Sequence, residues 1–150
     1  MLSLVFSYIL SILITTCNDI NQLRKDYNSI NSEEKLEQFI KKYKSYSCDK
    51  SIPYLASATM MRAQYAFSPI RKLNYFNAGK AKLEEYIKKN PASIDARYVR
   101  IMIQGTIPAF LNYKSDLKND IKFVKENIER SDLTNEIKNT ILKNINNLKH

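Results

Sequence analysis

Arginine and glutamine side chains recur at helical spacing within the segment "IDARYVRIMIQG". Arg97, Arg100 and Gln104 fall at positions i, i+3 and i+7, so they share one face if this segment is a helix. A guanidinium group binds carboxylate and phosphate through paired hydrogen bonds, whereas the ammonium of lysine acts as a point charge. This spacing therefore predicts a surface that recognises an anion.

Earlier in the chain lie three more residues that suit anion recognition. They are Arg62, Tyr65 and Arg71. We predict that Arg62, Arg97 and Arg100 build a groove for an anion or an acidic peptide. The remaining candidates would lie beside these three arginines and complete the binding surface.

The simpler alternative for the same arginines is a set of internal salt bridges. Acidic residues lie close to them in the sequence, within reach of Arg97 or Arg100. A carboxylate that already accepts from a guanidinium group leaves fewer donors for a ligand. The acids considered for this role are Asp95, Glu84 and Glu85.

The sequence lacks the usual patterns of enzyme sites. It contains no glycine-rich phosphate loop, no HExxH and no CxxC, and the single histidine is His150 at the C-terminus. Asp116 and Asp120 have the i, i+4 spacing of paired carboxylates, but both are more simply explained as residues that cap a helix or face its dipole. We predict no enzymatic activity, no metal site and no cofactor.

The N-terminal segment, residues 1–17, contains no charged side chain. Its apolar part from Leu2 to Ile14 has the length of a signal-peptide core and is short for a membrane span, which needs roughly 20 residues. No lysine or arginine follows Met1, so a retained anchor and a displaced start are alternatives. We predict a cleaved signal peptide and an exported protein, periplasmic or secreted.

Cys17 has three possible fates. It can leave with the signal peptide, which would leave Cys48 unpaired, or it can form a disulfide bond with Cys48 in an oxidising compartment. The segment "ITTC" also resembles the lipobox of bacterial lipoproteins, in which such a cysteine is lipidated and tethers the protein to a membrane. The family normally has Gly, Ala or Ser before the cysteine, and this chain has Thr16.

The formal net charge of the chain is +9. Such an excess can attract anionic lipid, nucleic acid or acidic proteins. The lysines are spread over nearly every predicted helix, which indicates a solvated surface. The basic residues do not alternate with exposed aromatic residues in a stacking pattern, which makes nucleic acid an unfavoured partner.

Composition and periodicity predict an all-α fold. The chain has two glycines and four prolines, and the strongest hairpin-turn pairs, Asn-Gly and Asp-Gly, are absent. Apolar residues recur at helical spacing in about six segments. We predict a signal peptide over residues 1–17, a polar lead over 18–31 and one helical domain over 32–150, with the helices in three consecutive antiparallel hairpins, as a superhelix or a bundle.

Helix boundaries and core residues follow from local signals. Caps are expected at Asn31, Ser93, Ser115 or Asp116, and Asp132. The apolar stripes predict a buried position for further residues near the middle of the chain. Phe67 and Leu73 belong to these stripes, and the apolar connector "TIPAFLNYKSD" is expected to place Phe110 and Leu111 in the core.

The segment "GKAKLEEYIKKNP" resembles the second helix of a tetratricopeptide repeat. Gly79, Leu83, Tyr86 and Pro91 have that family's spacing of four, three and five residues. The resemblance covers residues 79–104 and implies helical hairpins whose first helices line a concave groove. The helices that carry Arg62 and Arg97 would then face that groove. In general appearance the chain is also similar to short exported helical proteins of lysine- and asparagine-rich bacteria.

These observations predict an exported, non-enzymatic helical module that binds or scaffolds a protein or peptide partner, acidic if the arginine groove is correct. The alternative is a basic surface protein that contacts anionic lipid or nucleic acid through its net charge. If the chain is a helical binding module, it would contact a membrane only through its N-terminal segment or through lipidation of Cys17.

Overall fold

The computed structural model describes residues 17–148, and within that range the regular secondary structure is entirely helical. The predicted all-α class is confirmed. Seven α-helices are present in these residues, against about six predicted, and four short 3-10 helices adjoin them. The α-helices are α1 Ile20–Asn28, α2 Glu33–Tyr43, α3 Ile52–Met61, α4 Pro69–Lys89, α5 Ile94–Thr106, α6 Leu117–Asn127 and α7 Asn135–Asn146; the 3-10 helices are Asp49–Ser51, Arg62–Gln64, Ala109–Leu111 and Ile128–Arg130.

The additional helix is α1, which lies within the segment predicted as a polar lead. Its Leu23 and Tyr27 are buried in the core although polar residues surround them in the sequence. Arg24 is also buried, and it donates hydrogen bonds of 2.9 and 2.6 Å to the carboxylate of Asp95 on α5. Because few apolar residues mark this segment, its helix depends on packing against the rest of the domain.

Several predicted helix boundaries are observed. Ser93 precedes α5, and its hydroxyl accepts a hydrogen bond of 3.2 Å from the backbone N–H three residues later. Pro53 lies in the first turn of α3, where its missing N–H costs no helical hydrogen bond. The segment Asn90-Pro91 ends α4.

Two predicted caps are wrong by one or two residues. The cap of α2 is Ser32 and not Asn31, because the Ser32 hydroxyl accepts from the N–H three residues later at 3.3 Å. The cap of α7 is Thr134 and not Asp132. The carboxylate of Asp132 is instead bonded to Lys50 at 2.8 Å, a long-range partner that local spacing does not reveal.

The closest helix pairs are α3 with α4 and α5 with α6. A Cβ atom at Gly79 of α4 would collide with the carbonyl oxygen of Ala56 and with Met60, both on α3. The two helices therefore lie in close contact at Gly79, and a side chain there would separate them.

Helix α7 packs mainly against α5 and α1, whereas the third predicted hairpin pairs it with α6. A polar chain joins these three helices: the Tyr98 hydroxyl donates to Asn28 at 2.6 Å and accepts from Asn144 at 2.7 Å. The apolar residues Ile141 and Ile145 are buried along the same helix. These contacts place α7 beside α5 and thereby close the bundle.

Cys17 and Cys48 form a disulfide bond that ties the start of α1 to the segment before α3. This is one of the three predicted fates of Cys17. The other two are incompatible with it, because cleavage after Cys17 would remove the sulfur atom and lipidation would occupy it. Closing a loop of this length stabilises a fold by about 3 to 4 kcal/mol in the chain-entropy model.

The rest of the predicted signal peptide, residues 1–16, lies outside the described residues, as does His150. Among the helices of residues 17–148, none combines the length and the apolar character that crossing a membrane requires.

Candidate functional site

The six residues predicted to form one binding surface lie in two separate places. Arg62, Tyr65 and Arg71 line a cleft of about 320 Å³ near the start of α4, together with Glu33 and Glu37 of the α2 segment. The other three residues lie on α5, on the face that packs against α6. They are Arg97, Arg100 and Gln104.

Arg62 is bonded to a carboxylate on the protein surface. Its Nε atom donates to Glu37 at 2.6 Å, and its Nη2 atom bonds the second oxygen of the same carboxylate. The hydrogen bond from Arg62 lowers the pKa of Glu37, so the pair is charged at neutral pH. The guanidinium group also lies 5.8 Å from the ring centroid of Tyr75. An incoming anion would compete with Glu37 for this arginine.

Asp120 on α6 is fully buried and binds both arginines of α5. Its carboxylate lies 2.6 Å from Nη1 of Arg97, and 2.6 and 2.9 Å from Nε and Nη2 of Arg100. Arg97 also donates to the carbonyl oxygen of Pro91, at 2.9 and 2.8 Å, and stacks 4.4 Å from the centroid of Phe123. The face predicted to bind a ligand thus joins two helices.

Arg100 has a second carboxylate partner in Glu84 on α4, at 2.8 Å from Nη1. Burial lowers the pKa of Arg100, but the hydrogen bonds and charge of Asp120 together with the charges of Glu84 and Asp116 raise it by more, and the guanidinium group stays protonated. The Tyr113 hydroxyl donates to Glu84, and burial together with this hydrogen bond raises the pKa of Tyr113. One charged network therefore connects α4, α5, α6 and the connector before α6.

Gln104 is fully buried one helical turn beyond Arg100. Neither its Nε2 nor its Oε1 atom has a hydrogen-bond partner among the described residues. Leaving a buried polar atom without a partner costs about 1 to 3 kcal/mol. This position weakens the domain, and the residue is buried too deeply to meet a ligand.

For Arg97 and Arg100 the structure has the internal salt bridges that were the alternative to a binding groove. The pairing of Arg100 with Glu84 is among those the sequence suggested, whereas Asp120 was not considered as the partner. Arg71 differs, because no carboxylate lies within salt-bridge distance of it in residues 17–148, and its contact is with the Tyr75 hydroxyl at 3.4 Å.

A second concave surface is lined almost entirely by apolar side chains, and we call it the apolar groove. Its volume is about 530 Å³, which is within the usual range for ligand sites. Met60, Phe76 and Ile103 are buried and form its floor. The walls come from the end of α3, the start of α4 and the connector that follows α5. The wall residues are Met61, Ala63, Gln64, Pro69, Lys72, Leu73, Thr106, Ile107, Pro108, Phe110 and Leu111.

The connector that forms one wall is held at both of its ends. The backbone N–H of Ile107 donates to the carbonyl of Ile103 at 3.1 Å, which continues α5 into the connector. At the other end Tyr113 is buried, packs edge-on against Phe76 at 5.9 Å and bonds Glu84. The charged network thus fixes the wall of the apolar groove from behind.

Three large apolar residues predicted to be buried are exposed: Leu73 and Phe110 line this groove, and Phe67 lines the cleft that contains Arg62. Phe67 is 101 % exposed, Leu73 49 % and Phe110 83 %, so those three predictions are wrong, and Leu111 is only half-buried. The stripe that would bury Phe67 ends because α3 stops at Met61 and a 3-10 helix changes the direction of the chain. Ile70, one turn before Leu73 on α4, is also 72 % exposed.

The apolar groove has a positive edge. Lys72 is its one charged lining residue, and no Asp or Glu lines it. Arg71 precedes Lys72, and the first turn of α4 contains no acidic residue, so the positive end of the helix dipole is not compensated there. Sequence reasoning missed this site because a stripe of apolar residues usually indicates core, and only the tertiary structure shows which end of the stripe is left uncovered.

The described residues contain no group of three or more His, Cys, Asp or Glu side chains suited to a metal ion. Comparisons with family models, with curated proteins and with solved structures found no match to this chain.

Proposed function

We propose that this chain is an exported, non-enzymatic helical module that binds a protein or peptide partner through the apolar groove. The observation that carries the proposal is the concave apolar surface whose lining includes the exposed residues Leu73 and Phe110. A monomeric soluble protein rarely leaves large apolar side chains clustered in this way unless they meet a partner.

The shape of the surface favours a partner that offers side chains. A groove of about 530 Å³ has room for several apolar side chains, and its floor of Met60 and Phe76 is continuous with the core. Methionine at Met60 and Met61 can adapt to different partner shapes because the side chain is unbranched and flexible. An amphipathic helix laid along such a groove is a common mode of peptide recognition.

The disulfide bond and the apolar N-terminal segment support export as part of this proposal. Disulfides persist in oxidising compartments and are rare where thiols are kept reduced. Intact-mass measurement of the protein from the cells that make it tests this part. A mature chain that starts at or before Cys17 and is two hydrogens lighter than its reduced form supports export with the Cys17–Cys48 bond. A lipid on Cys17, or free thiols on the protein as isolated, would contradict it.

A second candidate function is contact with an anionic lipid surface, and Phe67 is the observation that favours it. This residue is fully exposed beside Ile70 and Arg71, an arrangement that suits insertion at a headgroup layer. Binding of this kind to vesicles depends on anionic lipid and weakens as salt screens the charges. A flat bilayer, however, leaves the concave groove unfilled.

Site-specific photocrosslinking tests the groove as a protein-binding site. A photoreactive phenylalanine analogue placed at Phe110, in the cells that make the protein, is expected to give discrete protein adducts. The same analogue at Lys125 is the matched control, because Lys125 is exposed on α6, which contributes no residue to the lining. The adducts should disappear when Leu73→Ser blunts the opposite wall.

Three results would contradict the proposal. Equal adducts from positions 110 and 125 would indicate unspecific contact. Adducts that persist in Leu73→Ser would place the contact outside the groove. Efficient crosslinking to lipid from position 110 in the absence of protein adducts would favour the membrane-surface function.

A further inference from the structure

We propose that the apolar groove selects partner segments that carry acidic residues beside their apolar side chains. This inference rests on the proposed function and names the chemistry of the partner. The occupant is a segment of another protein whose apolar side chains enter the groove and whose carboxylates face Lys72, near the start of α4.

The charge of the groove carries the first part of the argument. Lys72 is the one charged residue of the lining, and it has no salt-bridge partner within residues 17–148. Arg71, its neighbour, likewise has no carboxylate partner in that range. Lys72 is exposed and needs no internal bond to be broken before it meets a carboxylate. Arg71 is also exposed, but it contacts the Tyr75 hydroxyl and lines the cleft that contains Arg62.

The other two clefts provide a contrast within the same molecule. The cleft that contains Arg62 also holds Glu33 and Glu37, and Glu37 already occupies the guanidinium group. A third cleft, of about 370 Å³ near the start of α5, is lined by Asp95 and Asp132. Both of these clefts contain carboxylates, whereas no Asp or Glu lines the apolar groove.

The backbone at the start of α4 favours negative charge as well. Ser68 precedes the helix without a side-chain hydrogen bond to the first turn, and that turn contains no acidic residue. The positive end of a 21-residue helix therefore lies beside the two free cations. A partner carboxylate beside Lys72 would interact with this side chain and with the helix dipole together.

The net charge excludes a second copy of this chain as the favoured occupant. The chain carries a formal charge of +9, and a symmetric pair would bring two sets of Arg71 and Lys72 to the same interface. Like charges held together at an interface are destabilising, and no Asp or Glu lines the groove to offset them. An acidic partner has the complementary charge.

Selection from a library of random dodecapeptides displayed on phage tests the inference, because it does not require that the natural partner be identified. The purified oxidised domain is the target, and enriched peptides are synthesised and measured by fluorescence polarisation. We expect the enriched sequences to combine Leu, Phe or Met with Asp or Glu. The double variant Arg71→Glu and Lys72→Glu should bind them at least about tenfold more weakly.

The matched control is the double variant Lys82→Glu and Lys125→Glu. It changes the net charge by the same amount at two exposed lysines that line none of the three clefts, and it should retain the affinity of the wild type apart from a small long-range effect. Circular dichroism establishes that both double variants are folded.

The outcomes separate the inference from the proposed function. Enriched peptides that depend on Leu73 but are neutral or basic would overturn the charge selection and leave groove binding intact. Equal losses in the two double variants would also overturn it, because the effect would then come from net charge alone. If no enriched peptide depends on Leu73 or Phe110, or if binding is obtained only with anionic vesicles, the proposed function itself fails.

Discussion

Two regions of this molecule reverse the usual placement of charged and apolar residues. Around Asp120, two arginines lie between helices and are closed off from water to a large extent. At the apolar groove, Leu73 and Phe110 are exposed to solvent. The first region pairs every buried charge with a partner, and the second leaves apolar surface with no partner in residues 17–148.

The difference separates what holds the fold together from what is available for binding. Removing one partner of a buried ion pair leaves an uncompensated charge in a medium where it is poorly solvated. Removing an exposed apolar side chain costs little because water already surrounds it. Stability should therefore be sensitive to the Asp120 region and insensitive to the groove edge, and binding should show the opposite pattern.

The largest effect is expected for Asp120→Asn. This change keeps the size of the side chain but removes the charge that faces Arg97 and Arg100, and we expect it to lower the free energy of unfolding by about 3 kcal/mol or more. Urea denaturation measures the change. The control is Asp116→Asn, because Asp116 is 3.8 Å from Arg100 and partly exposed, and it should cost less than about 1 kcal/mol. Similar losses of unfolding free energy in the two variants would show that the buried carboxylate contributes no more to stability than the exposed one.

The pH dependence of stability is expected to report on the buried polar chain between α1, α5 and α7. Burial raises the pKa of Tyr98 to about 12, against the opposing hydrogen bond from Asn144, and the unfolded chain has a tyrosine pKa of about 10. The folded state therefore keeps a proton that the unfolded state loses. This contribution is complete below pH ~10 and is lost as the pH rises towards ~12.

Tyr98→Phe tests this assignment. Its unfolding free energy should fall less steeply than that of the wild type above pH ~10, by up to about 1 kcal/mol per pH unit. Denaturation curves collected between pH ~6 and ~8 are the control, because there the two proteins should differ by a constant amount. Identical slopes above pH ~10 would mean that Tyr98 titrates normally in the folded protein.

A gain of stability is expected from Gln104→Met. The change keeps the length of the side chain and removes two buried polar atoms that lack hydrogen-bond partners among the described residues, and we expect a gain of about 1 kcal/mol. Gln38→Met on α2 is the control, since Gln38 is exposed and bonded to Glu34, and it should change stability by less than about 0.5 kcal/mol. A loss of stability in Gln104→Met would indicate that the amide has a partner such as a buried water.

The smallest effect on stability is expected for Phe67→Ala. Because Phe67 is fully exposed, the change should alter the free energy of unfolding by less than about 0.5 kcal/mol. Phe76→Ala is the matched control: Phe76 is buried in the floor of the groove, and its loss should cost about 3 kcal/mol or more. A large cost for Phe67→Ala would mean that this ring packs against the domain in solution.

Much of the fold was predictable because its signals are local. Ser93 caps α5 and Pro53 lies in the first turn of α3, since each acts on backbone groups within a few residues. The wrong cap at Asp132 shows the limit of such reasoning. A carboxylate can serve either the nearest backbone N–H groups or a distant lysine, and Lys50 lies 82 positions away in the sequence.

The candidate site was less predictable for the same reason. Helical spacing correctly places Arg97 and Arg100 on one face of α5, but it does not show that Asp120 of the next helix meets that face. The apolar stripes identify surfaces that avoid water in most proteins. Whether Phe110 is covered depends on where the connector after α5 lies, and this follows from the burial of Tyr113 against α4.

The sequence by itself determined the all-α class, most helix positions and the positive charge, because each depends on composition or on contacts within a few turns. Only the tertiary structure decided which arginines are buried with carboxylates, that α1 belongs to the domain, and that an apolar groove beside Lys72 remains open. Those features depend on which surfaces pack together although they are distant in the sequence. The free energy of that packing is a sum over long-range contacts, which local sequence patterns do not reveal.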